Sequence, residues 1–283
     1  MVNFNGEFFS KDTSFLKYDN RAAKYGDALF ETIRVVNGTV FFWEDHYFRL
    51  MASMRILRME IPMNFTLEFL EDQIVKTSKE NGFESASRIR LTVFRKGGGL
   101  YAPTTNDISY TIEAIALDSP FYVMKDEIYE VALFKDYFLN KDMLSNLKTT
   151  NKILNVVASV FAAENKYHNC FLINSDKQVV EMINGNLFLV KGKTIKTPPL
   201  SDGCLDGITR KKLIEIVDAT EEFQFMEASI SPFELQKADE LFITNSINGI
   251  IPIGKYRKKE YGKIVAKGLL GKLNAKARME SLS

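Results

Sequence analysis

The stretch YGDALFETIRVVNGTVFFWEDHYFRLMASM at residues 25–54 decides the fold class, because its hydrophobic periodicity changes partway along it. Residues 30–43 hold two β-rich runs around Asn37-Gly38, and that dipeptide strongly indicates a two-residue hairpin. From Phe48 to Met54 the apolar side chains then recur at helical spacing. A hairpin that leads straight into a helix predicts an α+β arrangement for this part of the chain.

The regular pattern lapses further along, in DSPFYVMKD at residues 118–126, and we place a domain boundary there. Beyond it, short strands at close spacing are interrupted by helices, which favours a barrel-like, mixed-sheet α+β domain over a doubly wound one. We therefore expect a small N-terminal α+β domain at 1–118, an interdomain linker at 119–127 and a larger C-terminal domain at 128–283.

The composition excludes several classes of function. The chain has 37 Lys and Arg against 36 Asp and Glu, which leaves no broad basic field for nucleic acid. No window approaches the roughly 20 apolar residues of a membrane span, and the first residues lack a secretory signal, so we expect a cytoplasmic protein without a membrane partner. Two cysteines and two histidines are too few for a zinc cluster or a multi-histidine site, so no metal is expected.

Several segments carry weak signals of chemistry when each is considered by itself. LDGITR at 205–210 places a glycine at the mouth of a helix, where backbone N–H groups and the helix dipole favour a phosphate. Lys148 lies in a polar stretch before a helix and Glu181 at the end of an apolar strand, and each position is typical of a solvated surface. The glycine run RKGGGLY at 95–101 lacks phosphate-loop spacing and indicates a flexible loop or an active-site lid.

The order and spacing of these segments resemble the signatures of the class IV aminotransferases, the pyridoxal-phosphate enzymes of fold type IV. The similarity runs from about residue 20 to 255 and is specific as a set. In chain order the similar segments are YGDALFETIR at 25–34, HYFRL at 46–50, LKTTNKILNVVA at 147–158, VVEMINGNLFLV at 179–190, DGITR at 206–210 and ADELFITNSINGIIPI at 238–253. The resemblance implies a two-domain fold with a small N-terminal and a larger C-terminal domain.

The resemblance also implies a pyridoxal 5'-phosphate cofactor, a small-molecule substrate and a homodimer. The Schiff-base lysine of the family falls on Lys148, and the glutamate that pairs with the pyridine nitrogen falls on Glu181. The phosphate contacts fall on Arg49, Gly207, Ile208, Thr209 and Ser246, with Thr244 as the alternative hydroxyl. The candidate substrate contacts are Tyr25, Arg95 and Tyr101.

The chemistry of this cofactor agrees with those residue types. Its pyridine ring is an electron sink only while its nitrogen is protonated, and a facing carboxylate holds that proton in place. A lysine has to bond the cofactor and afterwards carry protons beside the reacting carbon. A dianionic phosphate needs helix-start amides, hydroxyls and an arginine fork.

The reaction within the family is predicted from a smaller set of residues. The family includes branched-chain and D-amino-acid aminotransferases and 4-amino-4-deoxychorismate lyase, which eliminates pyruvate and forms 4-aminobenzoate for folate synthesis. Branched-chain enzymes typically have Asn-Tyr after the lysine, whereas this chain has Asn151-Lys152, similar to the basic residue of some lyases. FETIR, RKGGGLYAP and TNSINGIIPI are also more similar to lyase segments. We therefore expect a lyase that acts through a Lys148 Schiff base. The alternatives are an aminotransferase that uses 2-oxoglutarate with branched-chain or D-amino acids, and a catalytically inactive binding protein.

Overall fold

This computed structural model describes residues 1–280, which form both helices and strands. The residues fall into two units. The first unit comprises Met1–Phe121, Lys148–Asn151 and the C-terminal stretch from Ala277, and the second comprises Tyr122–Leu147 and Lys152–Lys276. One change of unit lies inside the predicted linker at 119–127. The domain limits 1–118 and 128–283 stay a prediction.

The first unit is a six-stranded antiparallel sheet with three helices. Its elements are β1 (Val2–Phe4), β2 (Glu7–Phe9), α1 (Arg21–Tyr25), β3 (Ala28–Val36), β4 (Thr39–Val40), α2 (Trp43–Ile56), α3 (Leu67–Glu80), β5 (Ala86–Arg95) and β6 (Ile108–Ala116). The strand order is β2-β1-β6-β5-β3-β4. The long central strands β3 and β5 pair along their whole length, from Ala28 opposite Phe94 to Val36 opposite Ala86.

The predicted hairpin is present between β3 and β4. Asn37 and Gly38 both have positive φ, 50° and 78°, which is the backbone of the two-residue turn that matches the twist of the strands. The second strand is shorter than the sequence indicates. It ends at Val40, because Phe42 adopts the left-handed conformation at the N-cap of α2 and Trp43 begins the helix.

Side-chain alternation gives the sheet of the first unit two different faces. Ile33, Ile89 and Leu91 are fully buried on the face that packs against α2 and α3. The opposite face is half-buried and includes Phe30 and Arg90. One face therefore forms the core, and the other can meet a ligand.

The second unit contains two five-stranded mixed sheets. Its elements are β7 (Glu130–Leu133), α4 (Met143–Asn146), α5 (Ile153–Glu164), β8 (Asn169–Ile173), β9 (Val179–Met182), β10 (Asn186–Lys191), β11 (Thr194–Thr197), α6 (Ile208–Asp218), β12 (Gln224–Glu227), α7 (Pro232–Leu235), β13 (Glu240–Asn245), β14 (Gly249–Ile253), β15 (Lys255–Tyr256), β16 (Lys259–Glu260) and α8 (Ile264–Glu280). The strand orders are β12-β11-β10-β13-β14 and β16-β15-β7-β8-β9. Parallel pairs occur in both sheets, between β11 and β12 and between β7 and β8.

The two sheets of the second unit share one apolar core. Phe171 and Val179 come from one sheet and Leu187 and Leu241 from the other, and all four are fully buried. The α+β fold with mixed sheets agrees with the sequence prediction. Within residues 1–280, none of the helices has the length and apolar character of a membrane span.

Candidate active site

The segment that contains Lys148 is fixed to the start of β3. The Lys148 carbonyl oxygen accepts the N–H of Phe30 at 2.9 Å, and the N–H of Thr150 donates to the Ala28 carbonyl at 3.0 Å. The Thr150 hydroxyl donates to the Gly26 carbonyl at 3.1 Å. These bonds continue the sheet beside β3, so the backbone of the predicted Schiff-base lysine has a defined position.

The amine of Lys148 lies over an aromatic ring that it shares with an arginine. Lys148 Nζ is 4.5 Å from the centroid of the Phe30 ring, and Arg90 Cζ is 3.9 Å from the same centroid. Phe30 lies on β3 and Arg90 on the neighbouring β5, on the half-buried face of the sheet. The sequence analysis missed both residues, although the polar side chains at every second position from Arg88 to Thr92 could have identified this face.

Arg49 is held by a buried carboxylate. Its Nε and Nη2 donate to the two oxygens of Glu31, at 2.8 and 2.5 Å, and His46 Nδ1 lies 2.7 Å from Glu31 Oε2. Burial by itself would raise the pKa of Glu31, but Arg49 and His46 outweigh it and lower that pKa to about 2. Burial lowers the pKa of His46. An ionised Glu31 beside a neutral His46 therefore fixes the plane of the Arg49 guanidinium, which is the residue predicted to bind the phosphate.

Arg95, a predicted substrate contact, is buried and bonded to the protein. Its guanidinium donates to the Asp27 carboxylate at 2.9 Å, to the carbonyl oxygens of Leu57 and Arg58 at 2.7 and 3.2 Å, and to the side chain of Asn106. These acceptors engage all three guanidinium nitrogens. The geometry therefore supports a positioning role for Arg95, and its contact with substrate stays a prediction.

Tyr25 and Tyr101, the other predicted substrate contacts, lie together. Their ring centroids are 5.6 Å apart, and the Tyr101 side chain is 89% exposed. Tyr25 ends α1, directly before the stretch that holds the lysine segment. A pair of rings of which one is exposed and the other half-buried can bind an aromatic or apolar part of a ligand.

Glu181 lies in β9 of the second unit and is buried beside the entrance to α6. Its Oε2 accepts the N–H of Leu205 at 2.8 Å, and the carbonyl oxygen of Leu205 accepts Asn186 Nδ2 at 2.8 Å. Leu205 is thus held from both sides. The arrangement connects the strand–turn–strand segment of the sequence analysis to the helix start at Gly207.

The start of α6 has the features of an anion site. Gly207 is the N-cap of α6, and no side chain within residues 1–280 caps this helix. The close approach of Asn186 explains the glycine, because a Cβ at Gly207 would clash with Asn186 Oδ1. The first N–H groups of α6 and the positive end of its dipole can then bind a phosphate.

Two threonine hydroxyls support the same assignment. Thr209 Oγ1, in the first turn of α6, and Thr244 Oγ1, near the end of β13, are buried and have no hydrogen-bond partner in the described chain. Asn186 lies directly opposite Thr244 across the β10–β13 pair, and α6 packs against β13. A buried hydroxyl without a partner is costly, and a phosphate would satisfy both. The residues present therefore fit the phosphate of pyridoxal phosphate.

Ser246 follows β13 in a tight turn. The side-chain oxygen of Asn245 accepts the N–H groups of Ile247 and Asn248, at 3.1 and 2.9 Å, and the hydroxyl of Tyr122 donates to the Ser246 carbonyl at 3.3 Å. The turn therefore has a defined conformation. The predicted contact of Ser246 with the phosphate stays a prediction.

Lys152 begins α5 and lies within the electrostatic reach of Glu181. Burial lowers the pKa of Lys152, and the Glu181 carboxylate raises it. The basic residue that the sequence analysis singled out thus interacts electrostatically with the predicted partner of the pyridine nitrogen within the same unit. Glu31 and Asn186 are the supporting residues that the sequence analysis missed, although both lie inside quoted segments.

The chain is similar to known proteins over most of its length. Residues 28–256 match the family model described as amino-transferase class IV. A Methanocaldococcus jannaschii protein, provisionally named as a branched-chain-amino-acid aminotransferase, is 31% identical over 253 residues, which cover 89% of this chain and 86% of the relative. Aminodeoxychorismate lyase of Vibrio harveyi is 26% identical over 236 residues, covering 83% and 84%. D-alanine aminotransferases of staphylococci are also among the relatives.

A solved structure extends the similarity to the fold. The branched-chain aminotransferase of Thermoproteus uzoniensis, crystallised with norvaline, superposes with a TM-score of 0.87 and is 27% identical, covering 96% of this chain and 92% of that one. The family model spans most of the chain, and the first relative matches over nearly its whole length. The chain therefore belongs to the class IV aminotransferases and is a pyridoxal-phosphate-dependent enzyme of fold type IV.

Proposed function

We propose that the enzyme is a 4-amino-4-deoxychorismate lyase, which eliminates pyruvate from its substrate and leaves 4-aminobenzoate. The single observation behind the proposal is Lys152, a half-buried cation whose pKa the Glu181 carboxylate raises, at a position where branched-chain enzymes typically have an aromatic residue. Aminodeoxychorismate has two carboxylates, whereas a branched-chain amino acid has one and an apolar tail. A basic side chain beyond those assigned to the phosphate suits the dianion.

Arg90 adds a second basic group to this argument. It shares the Phe30 ring with Lys148 and is assigned no role at the phosphate. Burial lowers the pKa of Arg90, and Glu113 opposes that change. A half-buried guanidinium of this kind forms strong, forked bonds to a carboxylate. We infer that Arg90 binds a carboxylate of the substrate.

The other roles follow the chemistry of each side chain. Pyridoxal phosphate, when bound, supplies the electron sink for bond cleavage at the amino-bearing part of the substrate. Lys148 bonds the cofactor and moves a proton at the reacting carbon, while the Glu181 carboxylate holds a proton on the pyridine nitrogen. Arg49, the start of α6 at Gly207 and Ile208, and the hydroxyls of Thr209, Thr244 and Ser246 bind the phosphate.

The decisive experiment compares substrates on the purified enzyme loaded with pyridoxal phosphate. In one arm it receives aminodeoxychorismate, and release of pyruvate and 4-aminobenzoate is measured. In the other arms it receives branched-chain L-amino acids or D-amino acids with 2-oxoglutarate, and glutamate formation is measured. We expect turnover of aminodeoxychorismate with the highest kcat/KM. Efficient glutamate formation without release of 4-aminobenzoate would replace the lyase by an aminotransferase.

An aminotransferase is the second candidate because of the comparisons. The relative at 31% identity is provisionally named as a branched-chain enzyme, and the archaeal enzyme whose structure superposes is named as a branched-chain aminotransferase. A 2-oxoglutarate acceptor also has two carboxylates, so Arg90 and Lys152 suit it as well.

We further propose that the enzyme is a homodimer. Ile153, Val156 and Val160 follow one another at helical spacing on α5 and are 74%, 54% and 51% exposed. An apolar stripe of this size on a helix is typical of a surface that a second protein covers. Light scattering should give twice the mass of the chain. Val156→Lys should shift the enzyme toward monomer, whereas Ile264→Lys, at an exposed position of α8, should not.

A further inference from the structure

We propose that Arg21 is a positioning residue that fixes the loop of residues 97–101 and thereby places Tyr101 for substrate selection. This inference deepens the proposed function, because it rests on Tyr101 contacting the substrate. All the contacts that support it lie within the first unit. No signature segment of the sequence analysis includes Arg21.

The guanidinium of Arg21 binds the loop through three carbonyl oxygens. Nη1 donates to the Gly98 and Leu100 carbonyls at 3.0 and 2.6 Å, and Nη2 donates to the Tyr101 carbonyl at 3.3 Å. Arg21 is buried although it is charged. A buried arginine that donates to several backbone carbonyls fixes a main-chain conformation, because the rigid planar guanidinium sets the positions of its acceptors relative to one another.

Asp27 connects this arginine to the base of the same loop. Its Oδ2 accepts Arg21 Nε at 2.7 Å and Arg95 Nε at 2.9 Å. Burial raises the pKa of Asp27, but the hydrogen bonds from Arg95 and Arg21 outweigh it and lower that pKa. The ionised carboxylate thus bridges two arginines, one at the end of β5 and one under the middle of the loop.

The backbone around Asp27 also holds the lysine segment. Gly26 accepts the Thr150 hydroxyl, and Ala28 accepts the Thr150 N–H. Asp27 lies between these two acceptors in the chain. The Asp27 carboxylate therefore fixes the position of the loop relative to the backbone that holds Lys148.

The loop itself has a specified turn. Gly98 and Gly99 have φ of 109° and 74°, and a Cβ on Gly99 would clash with the Ala102 carbonyl. Arg21 Cζ lies 4.9 Å from the centroid of the Tyr25 ring, which in turn contacts Tyr101. The glycines therefore permit a particular turn of the loop rather than only a flexible lid. Arg21 contacts the Tyr25 ring and thereby orders the pair that Tyr25 forms with Tyr101.

The test measures KM and kcat for Arg21→Lys with whichever substrate the wild-type enzyme turns over best. The lysine keeps the positive charge but cannot donate the forked hydrogen bonds of the guanidinium. We expect KM to rise about tenfold, because a displaced contact weakens substrate binding, while the visible absorbance and the affinity for pyridoxal phosphate stay unchanged. Chymotrypsin should cut after Leu100 or Tyr101 faster than in the wild type. Lys24→Gln, on the exposed side of the same helix, is the matched control and should change none of these.

A double-mutant cycle separates positioning from general destabilisation. Tyr101→Ala alters an exposed side chain and should raise KM by itself, and Arg21→Lys should add little to it. Equal effects of Arg21→Lys in both backgrounds, or an unchanged KM, would overturn the inference. If Arg21→Lys does not fold, Gly99→Ala disturbs the same turn from the loop side and should give the same KM change. An unchanged KM in Gly99→Ala also overturns it.

The outcome is independent of which reaction proves correct. Failure of the lyase proposal appears in the wild-type enzyme as no turnover of aminodeoxychorismate. Failure of this inference appears only in the variants, as additive or absent KM effects.

Discussion

The side-chain oxygen of Asn186 lies where a Cβ on Gly207 would have to be. The same asparagine donates to the Leu205 carbonyl at 2.8 Å and pairs with Thr244 across the sheet. It therefore connects the glycine at the start of α6 to the strand that ends in the predicted phosphate turn. The glycine is required by this close approach rather than by its backbone angles, because Gly207 has φ of −78°.

The first prediction is that Gly207→Ala weakens the binding of pyridoxal phosphate. The added methyl group must displace Asn186 or the start of α6, and loss of one phosphate hydrogen bond costs about 1–2 kcal/mol, roughly a tenfold loss of affinity. Affinity is measured by titrating the apoenzyme and following the visible absorbance. Gly268→Ala, which places its methyl group in open space on α8, is the control and should leave the affinity unchanged.

Lys148, and not Lys152, should bond the cofactor. Lys148→Ala should abolish the visible absorbance of lysine-bound cofactor and nearly all turnover. Lys152→Ala should keep the absorbance and raise KM for a dianionic substrate, because the variant loses a cation that would attract the substrate carboxylates. The reverse pattern, with the absorbance lost only in Lys152→Ala, would exchange the two roles.

Glu181→Gln should keep pyridoxal phosphate bound but lower the rate of the reaction. The amide keeps the size of the side chain and cannot hold the pyridine proton by charge, so the loss should be several kcal/mol in barrier height, about 3 by analogy with other buried electrostatic contacts. Single-turnover rates measure it, with cofactor content determined on the same sample. Near wild-type rates would assign Glu181 only to its hydrogen bond with the Leu205 N–H.

Glu31 should make the free energy of unfolding depend on pH in the acid range. Its pKa is about 2 in the folded enzyme against an ordinary value of 4.5. The stabilisation is therefore present above pH 4.5 and is lost as the pH falls towards 2, and it amounts to about 3 kcal/mol. The pKa of His46 is also lowered by burial, so protonation below pH 6.5 destabilises the fold in the same direction.

The measurement for Glu31 is the free energy of unfolding in urea at a series of pH values. Glu31→Gln should be less stable than the wild type at pH 7, and the difference between the two should shrink below pH 4.5. Because all other carboxylates are common to both proteins, this difference reports Glu31 together with its effect on the pKa of His46. A constant difference from pH 7 to pH 3 would contradict the assignment.

The local signals of the sequence predicted more of the fold than of the supporting contacts. Asn37-Gly38 predicts the hairpin, because asparagine and glycine readily adopt the positive φ that both turn positions require. Gly207 could be found as a helix start, but its partner Asn186 could not, because that contact depends on how β10 lies beside the chain before α6. Likewise the glycine run indicated a flexible loop or a lid, and nothing local indicates that Arg21, about 80 residues earlier, binds its carbonyls.

The last prediction concerns Arg95, for which the sequence and the structure suggest different roles. A substrate contact predicts that Arg95→Ala loses kcat/KM and keeps its stability. The structure shows Arg95 bonded to Asp27, Leu57, Arg58 and Asn106, so its removal takes a charged donor from four part-buried acceptors and leaves Asp27 bonded to Arg21. We therefore expect Arg95→Ala to lower the free energy of unfolding by about 2–4 kcal/mol. Urea titration measures this, with the exposed Arg55→Ala on α2 as the control. Full stability together with a large loss of kcat/KM would restore the substrate role.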